Sequence, residues 1–218
     1  MVGAAARPDA RVARTWAQAL TGGDMIKFLT LWLTAMVRPR RAFAALQEKR
    51  APHWGLCATL VRFVGTAATS ILALDLLGRQ PFVPSYLTFL SEDSYYRAEI
   101  LFLPLFGVAA WLLSGAVVHL ILRLADVQSD IDQLLNVIGF SLLVVMPVVW
   151  LIDWTTIALG WYGASFTIPL HALVSVWEIV LIALGFRTII HLRPAAAAIL
   201  GLIVKAGIYI PLAALFIR

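Results

Sequence analysis

Hydrophobic residues occur in five long runs separated by short breaks that are polar or contain proline and glycine. The runs cover residues 53–78, 98–124, 133–159, 168–190 and 195–217. A helix of about 20 apolar residues crosses the roughly 30 Å hydrocarbon core of a bilayer, so each run is long enough to span. The pattern therefore predicts an all-α polytopic membrane protein, a bundle of five transmembrane helices formed by residues 53–218.

Residues 24–52, which precede the first run, are amphipathic rather than continuously apolar, and residues 1–23 read as a flexible basic tail. We predict that 24–52 forms amphipathic interfacial helices in the headgroup plane, apolar side down. Packing of these helices on the bundle is the alternative, because an amphipathic pattern fits both arrangements. The residues assigned to binding anionic lipid of the inner leaflet are Arg38, Arg40, Arg41, Lys49 and Arg50.

The composition agrees with a membrane protein. Hydrophobic residues make up 61 % of the 218-residue chain and charged residues 13 %, whereas soluble domains have about 45–50 % and about 25 %. The formal charge of +5 indicates an anionic membrane face and no nucleic-acid partner, because aromatic residues do not alternate with the basic ones. Cys57 is the single cysteine, which excludes an intramolecular disulfide and a cysteine-based metal cluster.

Of the charged residues in the apolar runs, three are assigned to the interior of the membrane: Arg62, Glu178 and Lys205. Counted from the turn at 191–194 at ~1.5 Å per residue, Glu178 lies ~18 Å deep and Lys205 ~15 Å deep. A lone charge at such depth costs roughly 2.5–3.5 kcal/mol, so we predict one intramembrane charge network. It either fixes helix packing, serves transport or proton handling, or recognises a polar group. The excess positive charge requires that Lys205 is uncharged or that an anion joins the network.

Two further sites are predicted from position along the spans. Asp75, Arg97 and Asp153 lie at similar outer depths and are expected to form an outer charge cluster, with His171 nearby in depth. Small residues let transmembrane helices approach closely, so those of the second and third spans are candidates for binding a partner protein. These residues are Gly107, Ser114, Gly115, Gly139 and Ser141.

The distribution of Lys and Arg predicts the orientation. Most of the 17 Lys and Arg residues fall in parts that are cytoplasmic if the N-terminus lies inside. The positive-inside rule then predicts a cytoplasmic N-terminus and an external C-terminus. The spans show no internal repeat, and their number is odd. Both observations argue against a transporter fold that arose by duplication.

Two motifs resemble those of the YIP family, the Ypt/Rab-interacting membrane proteins. The first consists of Pro39, Ala42, Phe43 and Leu46 followed by Trp54. The second is the stretch 132–141 with a proline at 147, and the run 177–185 followed by a basic residue is similar to the fourth span of that family. The resemblance covers roughly residues 35–217 and implies five spans with a cytosolic N-terminus.

The chain also departs from the eukaryotic members of that family. It has a short basic tail instead of a long N-terminal region, and it lacks the acidic–aromatic motif ahead of the spans. A Rab-type GTPase is therefore not expected as a partner. A bacterial inner-membrane protein is expected instead, with its C-terminus in the periplasm.

The sequence shows no motif typical of an enzyme, neither a Walker A motif nor G-x-S-x-G. Asp126, Asp130 and Asp132 could hold a divalent cation, but capping of the third span by Asp130 or Asp132 is the favoured interpretation. We expect no metal, no cofactor and no catalytic residue. The predicted function is an integral membrane adaptor or assembly subunit that binds other membrane proteins. The alternative is a small transporter, channel or lipid scramblase that uses Glu178 and Lys205.

Overall fold

The computed structural model of the protein describes residues 22–48, 53–83, 86–87 and 89–217. These residues form seven helices and no strand. The helices are α1 (Gly22–Val37), α2 (Pro39–Gln47), α3 (His53–Leu76), α4 (Glu92–Leu124), α5 (Ile131–Ala158), α6 (Ala164–Ile190) and α7 (Pro194–Phe216). Helices α3 to α7 are each long and apolar enough to cross a membrane, which confirms the predicted five-span fold.

Helix α5 forms the centre of the bundle. In its most apolar stretch 72 % of the residues are buried, compared with 33–39 % in the other four spans. The first half of α5, Ile131–Val144, packs against α3, α4 and α6. An α-helix that is apolar on every side is suited to such a central position, because no face of it needs contact with water.

The α-helical conformation of α5 is interrupted at Val145, between its two halves Ile131–Val144 and Met146–Ala158. Pro147 has no backbone N–H and cannot donate to the carbonyl of Leu143. That carbonyl accepts a hydrogen bond from Trp32 Nε1 of α1 at 3.1 Å. The break therefore lies where the proline predicted a bend, and it supplies an acceptor that holds α1 on the bundle.

Helices α1 and α2 pack on the bundle through their apolar sides. The ring of Phe28 lies 5.9 Å from that of Trp54 and 5.3 Å from that of Phe140. Phe43 and Leu46 of α2 are fully buried, and α2 contacts α6. The basic side chains of this segment that the structure describes are exposed, namely Lys27, Arg38, Arg40 and Arg41. Lys49, Arg50 and the tail 1–21 lie outside the described residues.

The small residues of α4 and α5 occupy contacts between the chain's own helices. A side chain at Gly107 would meet the ring of Phe63, one at Gly115 would meet Leu135, and one at Gly139 would meet the backbone of Gly55. Ser114 and Ser141 are likewise fully buried. We expected these five residues on an outward, partner-binding surface, and the structure corrects that placement. Small residues permit close approach, but their presence does not say whether the neighbour belongs to the same chain.

Helices α4 and α6 begin at least one helical turn earlier than the hydrophobic pattern predicts. Helix α4 starts at Glu92 instead of residue 98, and α6 starts at Ala164 instead of residue 168. Glu92 and Asp93 lie in the first turn of α4, where acidic side chains are favoured by the positive end of the helix dipole. The polar residues that suggested a loop therefore belong to the start of the helix.

Candidate functional site

The three predicted intramembrane charges lie together in the bundle. Glu178 of α6 is fully buried, and its two carboxylate oxygens contact different cations. Oε1 accepts from Arg62 Nη1 of α3, and Oε2 pairs with Lys205 Nζ of α7. A Cβ built at Gly201 would lie 2.8 Å from the carbonyl oxygen of Ile179, so α6 and α7 are in backbone contact one turn before Lys205. That contact brings Glu178 and Lys205 within reach.

Arg62 joins this cluster to the interrupted helix α5. Its Nη1 also donates to the carbonyl oxygen of Leu142 at 2.7 Å, close to the break at Val145. The side chain is only 13 % exposed. Arg62 therefore ties α3, α5 and α6 together in one polar contact.

Lys205 lies in a π-helical segment of α7, Ile203–Tyr209. Its Nζ is 5.8 Å from the centre of the Tyr209 ring, which is within the range of a cation–π interaction. The hydroxyl of Tyr209 has no hydrogen-bond partner among the described residues, although the side chain is buried. Tyr209 was not among the residues predicted for this site, but its position four residues after Lys205, on the same side of the helix, could have indicated it.

We name Arg62, Glu178, Lys205 and Tyr209 the central cluster. With all three ionisable groups charged, it carries two positive charges and one negative charge. Glu178 shares its two oxygens between the cations, so removal of this one group would leave both without their shared carboxylate. The arrangement joins three transmembrane helices at one point, which makes it suited to fixing their packing.

The three residues of the predicted outer charge cluster are in two places. Arg97 lies 3.6 Å from Asp75 by an Nε to Oδ2 distance, and the Arg97 side chain is 76 % exposed. Asp153 is buried and instead accepts from Ser70 Oγ at 3.0 Å and faces His171 Nε2 at 2.8 Å. Similar depth alone did not reveal that Asp153 points between α3 and α6, away from Arg97.

The acidic run before α5 caps a helix. Asp130 is the N-cap residue, and its Oδ1 accepts from the backbone N–H of Asp132 at 2.9 Å. This confirms the capping interpretation. Among the residues that the structure describes, no group of three or more His, Cys, Asp or Glu is placed to hold a metal ion.

Five apolar spans around a buried charge cluster define an integral, polytopic α-helical membrane protein. The chain belongs to the Yip1 domain family, whose family model matches residues 33–215. The match runs from α1 to α7 and so includes both motifs on which the resemblance was based. No curated protein and no solved structure matches the chain.

Proposed function

We propose that this Yip1 domain protein is a non-enzymatic membrane adaptor or assembly subunit that binds other membrane proteins. The observation that carries the proposal is the closed polar interior: Glu178 is fully buried, and its carboxylate is engaged by Arg62 and Lys205. A transporter needs its intramembrane charges to be reached by water or substrate. Charges that are satisfied by one another instead stabilise a bundle whose outer surface is the part that interacts.

We propose a bacterial inner-membrane location, with the N-terminus in the cytoplasm and the C-terminus in the periplasm. The exposed Arg40 lies at the end of the bundle where α6 ends and α7 begins, near Arg187, and the exposed Arg38 and Arg41 are its close neighbours in the sequence. Clustering of basic residues at one end supports contact with the anionic inner leaflet. Residues 24–52 would then rest on the bundle with their basic side toward lipid headgroups.

The outward face of α7 is the surface we assign to a partner protein. The exposed positions of α4 carry many leucines, among them Leu101 and Leu105, which suit lipid tails. Helix α7 also exposes large apolar residues, such as Leu202 and Ile210, but between these two positions it exposes the small residues Ala206 and Gly207. A Cβ at Gly207 would meet only Ile203 of its own helix, at 3.8 Å, so another helix could approach closely there.

Gly207→Leu is expected to leave the protein folded and to reduce the amount of co-purified partner about tenfold, the loss that corresponds to ~1.4 kcal/mol of binding free energy. The physical reason is that the new side chain projects into the contact and not into the bundle. The measurement is quantitative mass spectrometry of the protein purified gently in nanodiscs.

Ala109→Leu, at an exposed position of α4, is the matched control and should leave partner recovery unchanged. If the Gly207→Leu protein recovers as much partner as the unchanged protein, the α7 face is excluded as the partner-binding surface. A preparation from which no membrane protein co-purifies would count against the adaptor itself.

A small transporter, channel or lipid scramblase is the second candidate. It is favoured by the uneven charge of the central cluster and by the Tyr209 hydroxyl, which has no hydrogen-bond partner among the described residues. A polar ligand or a proton would find an acceptor and cations at one depth of the membrane.

A further inference from the structure

A cavity of about 310 Å³ opens at the end of the bundle, between α2 and the C-terminal turns of α6. Its walls are formed by Arg40, Leu184, Arg187, Thr188, His191 and Leu192. We propose that this basic cavity binds the phosphate group of an anionic phospholipid, with Arg40 and Arg187 as its charged ligands. The choice of a lipid as the source of the phosphate rests on the proposed placement of this end of the bundle at the inner leaflet.

The packing of α2 on α6 positions the two arginines. Phe43 is fully buried, and a Cβ at Gly185 would lie 3.3 Å from Phe43 Cε1. Arg40 is one helical turn before Phe43, and Arg187 is two residues after Gly185. Because glycine at 185 lets α2 come this close, guanidinium groups from two separate helices line one cavity. Gln47 Nε2 donates to the carbonyl oxygen of Ile189 at 3.4 Å and adds a polar contact to the same interface.

The charges of the basic cavity are not balanced by an acidic group among the described residues. None of the ion pairs between described residues involves Arg40 or Arg187, and the lining includes no Asp or Glu. Arg40 and Arg187 are both exposed, so water and salt partly screen the repulsion between them, and an anion between them would remove it. A phosphate accepts from both, because its oxygens match the fork of N–H donors on an arginine side chain.

The helix dipole alone explains Arg187 but not Arg40. Arg187 is in the last turn of α6, where a cation offsets the negative end of the helix dipole. Arg40, however, lies in the first turn of α2, where the dipole favours an anion and disfavours a cation. An external phosphate at that position would interact favourably with both the helix end and the side chain.

The other wall residues indicate a lipid headgroup. The Thr188 hydroxyl donates to the carbonyl oxygen of Leu184 at 2.8 Å, so its proton is not available to an anion. His191, which ends α6 in the left-handed conformation at φ 58°, brings an imidazole to the rim. Leu184 and Leu192 give the cavity an apolar side that acyl chains could cover. Basic pockets between transmembrane helices on the cytoplasmic side are a known type of anionic-lipid site.

The test compares two double variants that remove the same charge. Arg40→Gln/Arg187→Gln changes the basic cavity, whereas Arg79→Gln/Arg123→Gln changes two exposed arginines that do not line it. Each protein is assembled in nanodiscs containing phosphatidylglycerol and phosphatidylcholine, and the lipid retained after delipidation in detergent is quantified by mass spectrometry. We expect retained phosphatidylglycerol to fall about tenfold in the first variant and less than about twofold in the second.

Two further arms identify the ligand. Arg40→Lys/Arg187→Lys keeps the charge but loses the forked donors, and it should give an intermediate loss of phosphatidylglycerol. Inorganic phosphate is added as a competitor at the delipidation step, and displacement of the lipid at low millimolar phosphate would overturn the lipid as source. An equal loss in both Gln variants, or no enrichment over phosphatidylcholine in the unchanged protein, would overturn the site. Partner recovery from the same preparations reports separately on the adaptor proposal.

Discussion

Replacement of Glu178 by Gln is expected to cost the bundle ~3–5 kcal/mol, which is typical of breaking a buried ion pair by removing one partner. The carboxylate of Glu178 is fully buried and contacts both Arg62 and Lys205. The amide of Gln would leave two cations inside the bundle with no anion between them. Thermal unfolding in a fixed detergent, together with the yield of folded protein from membranes, measures the loss.

The other charge variants should be milder in a defined order. Lys205→Met leaves the Arg62–Glu178 pair intact and removes the excess positive charge, so it should be the mildest. Glu178→Gln/Lys205→Met strands only Arg62 and should fall between the two single variants. If Glu178→Gln is no more harmful than Lys205→Met, the central cluster does not stabilise the fold in the way its geometry indicates.

Replacement of Gly139 by Ala is expected to destabilise the bundle by ~1–3 kcal/mol, the usual cost of overpacking a well-packed interior. A Cβ at Gly139 would lie 2.7 Å from the Cα of Gly55, which is closer than real Cβ atoms come to backbone. The neighbouring contact is fixed, because the Gly55 N–H donates to Asn136 Oδ1 at 2.7 Å. Helices α3 and α5 would have to separate, and thermal unfolding again measures the effect.

Gly207→Ala is the matched control, since it makes the same chemical change at an exposed position of α7. Alanine is favoured over glycine in a helix by ~1 kcal/mol, so this variant should be neutral or slightly stabilising. Equal unfolding temperatures for the two variants would show that α3 and α5 are not in contact at Gly139.

The five spans could be predicted from the sequence because the bilayer alone sets the length and the hydropathy that a spanning helix must have. The meeting of Arg62, Glu178 and Lys205 could be predicted as well, since few buried charges were available to compensate one another. Glu178 and Lys205 are also on helices joined by a short turn, which fixes their relative depth.

The side on which a residue lies could not be predicted with the same success. Gly115 and Gly139 looked suitable for a partner, but the hydropathy pattern cannot tell a contact within the chain from one with another protein. Asp153 was grouped by depth with Asp75 and Arg97, with His171 nearby, but among the described residues Arg97 pairs with Asp75 alone, and Asp153 contacts Ser70 and His171. The basic cavity depends on the approach of α2 to α6, which no local pattern of residues encodes.

Transport by the purified protein in liposomes is the most direct measurement of the central claim that the buried charges stabilise a closed bundle. The account predicts that liposomes containing the protein move neither protons nor small ions nor a fluorescently labelled phospholipid faster than liposomes without it. Movement above that background, lost in Glu178→Gln/Lys205→Met protein that is still folded by its thermal unfolding, would contradict the account and favour the transporter, channel or scramblase.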